Sequence, residues 1–265
     1  ALQKHDLNLL LQKQYSLIQW EQGSGKTLAG IATGTYRMQR QNAFCTWVIS
    51  PAISIKNTWE VALQNYDISY TIINKAADVD KIQQGDFVLV TLNMLCKYHE
   101  QIKRWIRIHN QKVAFCFDES DEMANPDSKR AKAALSCFRR CKYKLLMTGT
   151  TTRNNISEFA PQLEMLYNNS YNMISWAKTV YRFSRGSKKE EPGLHEDNNI
   201  LYGRPIPAYK KGYSLFSASH LPAKITVFGA EQRTQDIYNA DVLNDILAHT
   251  VITRTFEEIT GKDIK

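Results

Sequence analysis

The chain lacks the long apolar run that a membrane span requires. No stretch of its 265 residues approaches the roughly 18 consecutive apolar positions of a crossing helix. It shows no secretory leader; it opens Ala1-Leu2-Gln3-Lys4-His5, and a start without Met is expected of a fragment or a processed chain. It has no Cys-x-x-Cys pair. The five cysteines, Cys45, Cys96, Cys116, Cys137 and Cys141, are odd in number, so they do not all pair within one chain. Cys137 and Cys141 stand one helical turn apart, but no second pair completes a zinc set. Cys45 and Cys116 lie in apolar runs and read as buried thiols. These features point to a reducing compartment, cytoplasmic, or nuclear in a eukaryote. No internal repeat is visible.

Charge is moderately one-sided. Thirty-four basic residues stand against 26 acidic, a net +8, and residues 1–170 carry 21 basic and 15 acidic of these. A basic surface of this size suits a polyanionic partner and equally a merely soluble protein.

Six apolar runs alternate with helix-length segments. They are Leu17–Trp20, Phe44–Ser50, Ser69–Ile73, Phe87–Thr91, Val113–Phe117 and Tyr143–Met147. Runs that are apolar nearly throughout fit strands buried on both faces of a parallel sheet. The segments 27–40, 54–65, 93–108 and 129–140 are long enough for crossover helices. The predicted fold is α/β, a parallel sheet with helices on both faces. Past about residue 170 the rhythm breaks. Residues 184–215 read as a long loop or lid, Ile225–Phe228 as a strand and Glu231–Ile252 as a helical stretch. The expected division is a nucleotide-binding lobe over 1–168 and a helical or irregular extension, packed on it, over 169–265.

Three motifs carry chemistry. Gln22-Gly23-Ser24-Gly25-Lys26-Thr27 stands between a strand and a helix, the context of a phosphate-binding loop. Glycines let backbone N–H groups turn inward, and the new helix adds its positive dipole end. Lys26 would reach the β- and γ-phosphates and the Thr27 hydroxyl would ligate Mg²⁺, making ATP with Mg²⁺ the expected ligand. Trp20 occupies the place where the full pattern has Gly. Val113–Phe117 then runs into Asp118-Glu119-Ser120-Asp121. The first carboxylate suits Mg²⁺ and the second suits polarising the attacking water, so Lys26, Asp118 and Glu119 are the catalytic candidates. Finally Leu145–Met147 leads into Thr148-Gly149-Thr150, followed by Thr151, Thr152, Arg153, Asn154 and Asn155. This loop can touch the γ-phosphate side and the carboxylates together, or simply cap the next helix.

In this order and spacing the three motifs resemble helicase superfamily two, and within it the first RecA-like lobe of the Swi/Snf-like DNA translocases. Ile49-Ser50-Pro51-Ala52 with Trp59 resembles that family's motif Ia. Val90-Thr91-Leu92-Asn93-Met94-Leu95 and Asn125-Pro126-Asp127-Ser128-Lys129-Arg130 resemble two further elements. His249–Thr260 resembles the segment that closes the first lobe. The resemblance covers nearly the whole chain. It implies ATP-driven movement on duplex DNA and a second RecA-like lobe as partner. It implies backbone contacts to DNA from Ser50, Pro51, Lys56, Thr91 and Asn93, and coupling through Asp121, Thr148, Gly149 and Thr150. Gln3 and His5 are the adenine-side candidates, since Asp6 stands where the family has Gln; Asp121 stands where it usually has His and Thr151 where it usually has Pro. Trp59 reads as core rather than as a base-stacking platform. A strand-separating or RNA-acting helicase, a non-hydrolysing binding module and a small-molecule kinase are the alternative readings.

Overall fold

The fold is described from a computed structural model of the chain. The structure describes residues 2–109, 112–149, 156–167 and 240–261, together with short elements between 179 and 232. Seven parallel strands form the central sheet: β1 (Tyr15–Trp20), β2 (Thr46–Ile49), β3 (Tyr70–Ile72), β4 (Phe87–Val90), β5 (Ala114–Asp118), β6 (Tyr143–Thr148) and β7 (Val251–Arg254). Their spatial order is β7-β1-β6-β5-β2-β4-β3. The register sets Gln19 beside Thr148 and Asp118 beside Met147. The carboxyl ends of β1, β5 and β6 therefore lie together, where ligands bind in open α/β sheets.

Strand residues alternate between two cores. Phe115 and Phe117 of β5 pack into one, with Trp47, Ile49 and Leu146. Cys116 joins the other, with Val48, Leu145 and Met147. The helices divide accordingly. On the Cys116 side lie α1 (Leu2–Gln12), α2 (Lys26–Gln41) and α3, a continuous helix through Ala52–Ser54, Ile55–Trp59 and Glu60–Asn65 whose middle five residues are a π-turn. On the Phe115 side lie α4 (Leu92–Lys97), α5 (His99–Ile108), α6 (Lys129–Phe138), α7 (Ala160–Tyr167) and α8 (Ala240–Thr250). No helix among the described residues is long and apolar enough to cross a membrane.

Helix α2 lies close against the sheet because of its glycines. A Cβ at Gly30 would come within 2.7 Å of the Trp59 ring, and one at Gly34 within 2.8 Å of Phe87 and Thr46. At its far end Arg37 is buried and donates to the carbonyls of Leu10 and Leu11 at 2.8 and 3.1 Å, closing the carboxyl end of α1.

Three sequence expectations change. The segment expected as one helix over 231–252 is a strand at Gly229–Gln232, helix α8, and then β7. Residues 251–254 thus supply the sheet's edge beside β1. The helix expected over 93–108 is broken at Tyr98 into α4 and α5. The described strands of 179–232 form three two-stranded antiparallel pairs.

Candidate nucleotide site

The loop after β1 is built for backbone exposure. Gly23 and Gly25 hold φ of 79° and 92°, the left-handed region that glycine enters freely. The Gln3 amide lies against the loop: its Nε2 donates to the Ser24 carbonyl at 2.8 Å and would sit 2.9 Å from a Cβ at Gly25. Helix α2 begins at Lys26 with no side-chain cap and no acidic residue in its first turn. Its first amides therefore have no intrahelical acceptor, the arrangement in which helix N-termini bind anions. Lys26 is half-buried and its Nζ donates to the Trp20 carbonyl at 2.9 Å. Trp20 itself is core, so what stands in the glycine's place serves through its backbone.

Opposite the loop is the end of β5. Asp118 is buried, and its Oδ2 accepts from the Ser50 hydroxyl at 2.8 Å and the Trp59 indole N–H at 3.0 Å. Glu119 follows in the left-handed region at φ 53°, ψ 55°. Burial pushes its carboxyl above the ordinary range. The Lys26 ammonium and the Gly149 N–H oppose the rise, and the Asp118 and Asp121 charges add to it. A Cβ at Gly149 would stand 3.9 Å from Lys26 Nζ. Lys26, Glu119 and Gly149 thus face one another.

Asp121 and Thr148 are linked directly. The Thr148 hydroxyl donates to Asp121 Oδ1 at 3.1 Å, and both side chains are buried. An aspartate in the usual histidine position keeps a bond between the carboxylate segment and the β6 loop. Thr150 and Arg153 lie outside the described residues.

The amino-terminal candidates divide. Gln3 meets the phosphate loop, whereas His5 is exposed. Asp6 is fully buried and forms a bidentate pair with Arg254 of β7, at 2.9 Å to Nε and 2.8 Å to Nη2. That pairing raises the Arg254 pKa. The same strand end reaches the phosphate loop. Glu21 N–H donates to the Arg254 carbonyl at 3.2 Å, the Phe256 N–H donates to Glu21 Oε2 at 2.7 Å, and the Phe256 ring lies 3.2 Å from a Cβ placed on Gly23. Asp6, Arg254 and Phe256 were missed as site neighbours; their partners are too distant in sequence to leave a local signal.

The candidates for DNA contact also divide. Ser50, expected on a phosphate-contacting face, is buried and its hydroxyl donates to Asp118. Pro51 is half-buried at the start of α3, and Lys56 is exposed on the π-turn. Thr91 caps α4, its hydroxyl accepting from Met94 N–H at 3.2 Å. Asn93 is exposed and accepts from Arg130 Nη2 at 3.0 Å. Arg130 and its exposed neighbour Lys129 therefore join this surface. Gln22 is exposed at the loop's rim and Thr27 half-buried in the first turn of α2.

The SNF2-related domain family matches residues 3–262. The chain belongs to that family. The "Transcription regulatory protein SNF2" of Saccharomyces cerevisiae is 26% identical over 199 residues, 70% of this chain and 11% of that protein. The "SWI/SNF chromatin-remodeling complex subunit snf22" of Schizosaccharomyces pombe is 26% identical over 189 residues, 68% of this chain and 11% of that one. Two solved Sulfolobus solfataricus SWI2/SNF2 ATPase cores share the fold. The core in complex with dsDNA gives a TM-score of 0.59 at 18% identity over 95% of this chain, and the core domain alone 0.61 at 17% over 100%. This chain spans 42% and 45% of those two cores, and about a ninth of the curated relatives.

Proposed function

We propose that the chain is the ATP-binding lobe of an ATP-driven motor that couples ATP hydrolysis to movement on duplex DNA. The observation that carries this reading is the meeting of Lys26, Glu119 and Gly149 at the mouth of an uncapped, glycine-shaped helix start. The backbone amides of that start take the triphosphate's charge, and Lys26 exchanges the Trp20 carbonyl for phosphate oxygen. Hydroxyl and carboxylate oxygens are the donors a hard cation takes, and Thr27 with Asp118 would hold Mg²⁺, the rest of its shell being water and phosphate. Bound Mg²⁺ supplies charge neutralisation between the phosphates. Glu119 orients and deprotonates the attacking water. Lys56, Thr91, Asn93, Lys129 and Arg130 form the face that contacts DNA backbone, where amides, hydroxyls and cations position without reading sequence. The five free thiols support the reducing compartment this reading requires.

The test is titration of a fluorescent ATP analogue. Lys26→Ala is expected to weaken binding at least about tenfold, roughly 1.4 kcal/mol. Equal affinity in variant and wild type sinks the nucleotide assignment.

A further inference from the structure

Asp118 sits where the nucleotide site and helix α3 meet. Its Oδ2 takes two neutral donors, the Ser50 hydroxyl and the Trp59 indole N–H, at 2.8 and 3.0 Å. Two donors on one oxygen fix the rotation of the carboxylate. Oδ1 accepts nothing from any described residue, so it is the oxygen left for a metal or a metal-bound water.

The two donors enter from one segment. Ser50 follows β2, and Trp59 closes the π-turn of α3. Lys56 belongs to that same five-residue turn and is exposed, while Trp59 is buried completely. A π-turn shifts side chains out of the ordinary helical phase, and such turns gather at functional sites. Here it places a solvent-facing cation and a buried hydrogen-bond donor on one rigid piece.

The indole has little freedom of its own. A Cβ on Gly30 of α2 would come within 2.7 Å of the Trp59 Cη2 atom, 3.3 Å of Cys116 Sγ and 3.4 Å of Met147 Sδ. The ring is wedged between α2 and the sheet, in a core too dense to absorb a displacement locally. A shift of α3 must therefore carry the indole N–H with it and change the hydrogen bond on Asp118.

We propose that Trp59 is a positioning residue: it orients Asp118 for the metal and transmits to it the displacement of α3 that follows phosphate contact at Lys56. This rests on the ATPase reading above and adds to it a route by which nucleic acid accelerates hydrolysis. A tryptophan that is only core would stabilise the fold and leave metal dependence and stimulation alone.

The experiment uses the full-length protein with Trp59→Phe, which keeps an aromatic ring and removes the N–H. Removing an outer-shell partner of a metal ligand typically costs about 10–100-fold in metal affinity or activity. The half-saturating Mg²⁺ for ATPase is therefore expected to rise about tenfold or more, with metal-free nucleotide affinity unchanged. DNA stimulation is expected to fall by a similar factor. Lys56→Ala should reduce stimulation in the wild type and add nothing to Trp59→Phe, because residues acting through one path are not additive. Unchanged Mg²⁺ dependence and stimulation in a folded Trp59→Phe variant overturn the proposal, as does full additivity with Lys56→Ala. Should that variant fail to fold, the ¹⁹F resonance of fluorotryptophan at position 59 in the otherwise native protein decides. It should move on adding duplex DNA; a fixed resonance overturns the relay. A wild type without Mg²⁺-dependent ATPase activity would sink the ATPase reading instead, and the resonance would still judge the relay.

Discussion

Glu119 is held in two unfavourable ways at once. A non-glycine residue in the left-handed region costs about 1–3 kcal/mol, and such positions gather at functional sites. Its carboxyl is also half out of water and beside two other carboxylates, which lifts its pKa, while Lys26 opposes the rise. The sign of the pH effect follows. Between the ordinary carboxylate value and the raised one, the folded state binds more protons than the unfolded state, so stability falls as pH rises through that window. Glu119→Gln is therefore expected to stabilise the fold at neutral pH and to lose that advantage in acid below the ordinary carboxylate range. The same substitution should spare nucleotide binding and lower turnover about 10²–10⁴-fold, the usual worth of a positioned acid–base group. Thermal melts across pH, set beside single-turnover rates, check both halves. A variant that is less stable at neutral pH would show that the glutamate's charge is favourably housed. The Asp121–Thr148 bond makes a related point: an aspartate accepts from the threonine hydroxyl in a place where the resemblance expects histidine.

At the level of elements, β7 ties the lobe's last segment to its first. Arg254 joins Asp6 of α1 by two charge-assisted bonds, 248 positions away, and its carbonyl receives Glu21 N–H at the entry to the phosphate loop. Asp6 is fully buried, so removing its partner leaves a carboxylate without compensation. Arg254→Met is expected to cost about 3–5 kcal/mol, and Asp6→Leu in the same chain to recover most of it. Urea unfolding of the single and double variants measures this, and a double variant as unstable as the single one would contradict the pairing argument. Such pairings mark the limit of what the sequence carries. The six strands from β1 to β6 are legible because each is a short apolar run between polar punctuation, as in Phe87–Val90. The phosphate loop and Asp118-Glu119 are legible because their chemistry is local. Strand β7 is not: Val251-Ile252-Thr253-Arg254 is four residues long, half-exposed and directly continuous with α8, so its pattern merges with the helix. Ser50 and Trp59 look like a surface hydroxyl and a core aromatic until the sheet brings Asp118 to them from 68 and 59 residues downstream.

At the scale of the whole molecule, the site described here is charged on one side only. Among the described residues, Lys26 is the cation whose field acts on Glu119. Arg254 is engaged by Asp6, and Arg37 lies over Tyr143 at the amino end of the sheet, donating to the carbonyls of α1. The charge that develops on a transferred phosphoryl group needs more than one lysine, and a second cation arriving from another element is worth about 10³–10⁵ in rate. The resemblance to the Swi/Snf-like translocases implies that such a cation comes from a second RecA-like lobe. This chain aligns with only 42% and 45% of the two solved ATPase cores, which leaves room in them for that lobe. Closure of a second lobe would also exclude water from the nucleotide and strengthen every electrostatic term at Glu119. Residues 1–265 on their own are accordingly expected to bind ATP with Mg²⁺ and to hydrolyse it slowly, with little response to DNA. Steady-state turnover, measured at saturating duplex DNA for these residues and for a chain that includes a second lobe, separates the cases. Slow turnover that rises about 10³-fold or more in the longer chain fits a divided site. Brisk DNA-stimulated turnover by residues 1–265 alone would mean that the missing charge is already present within them, with Arg153 the first residue to substitute.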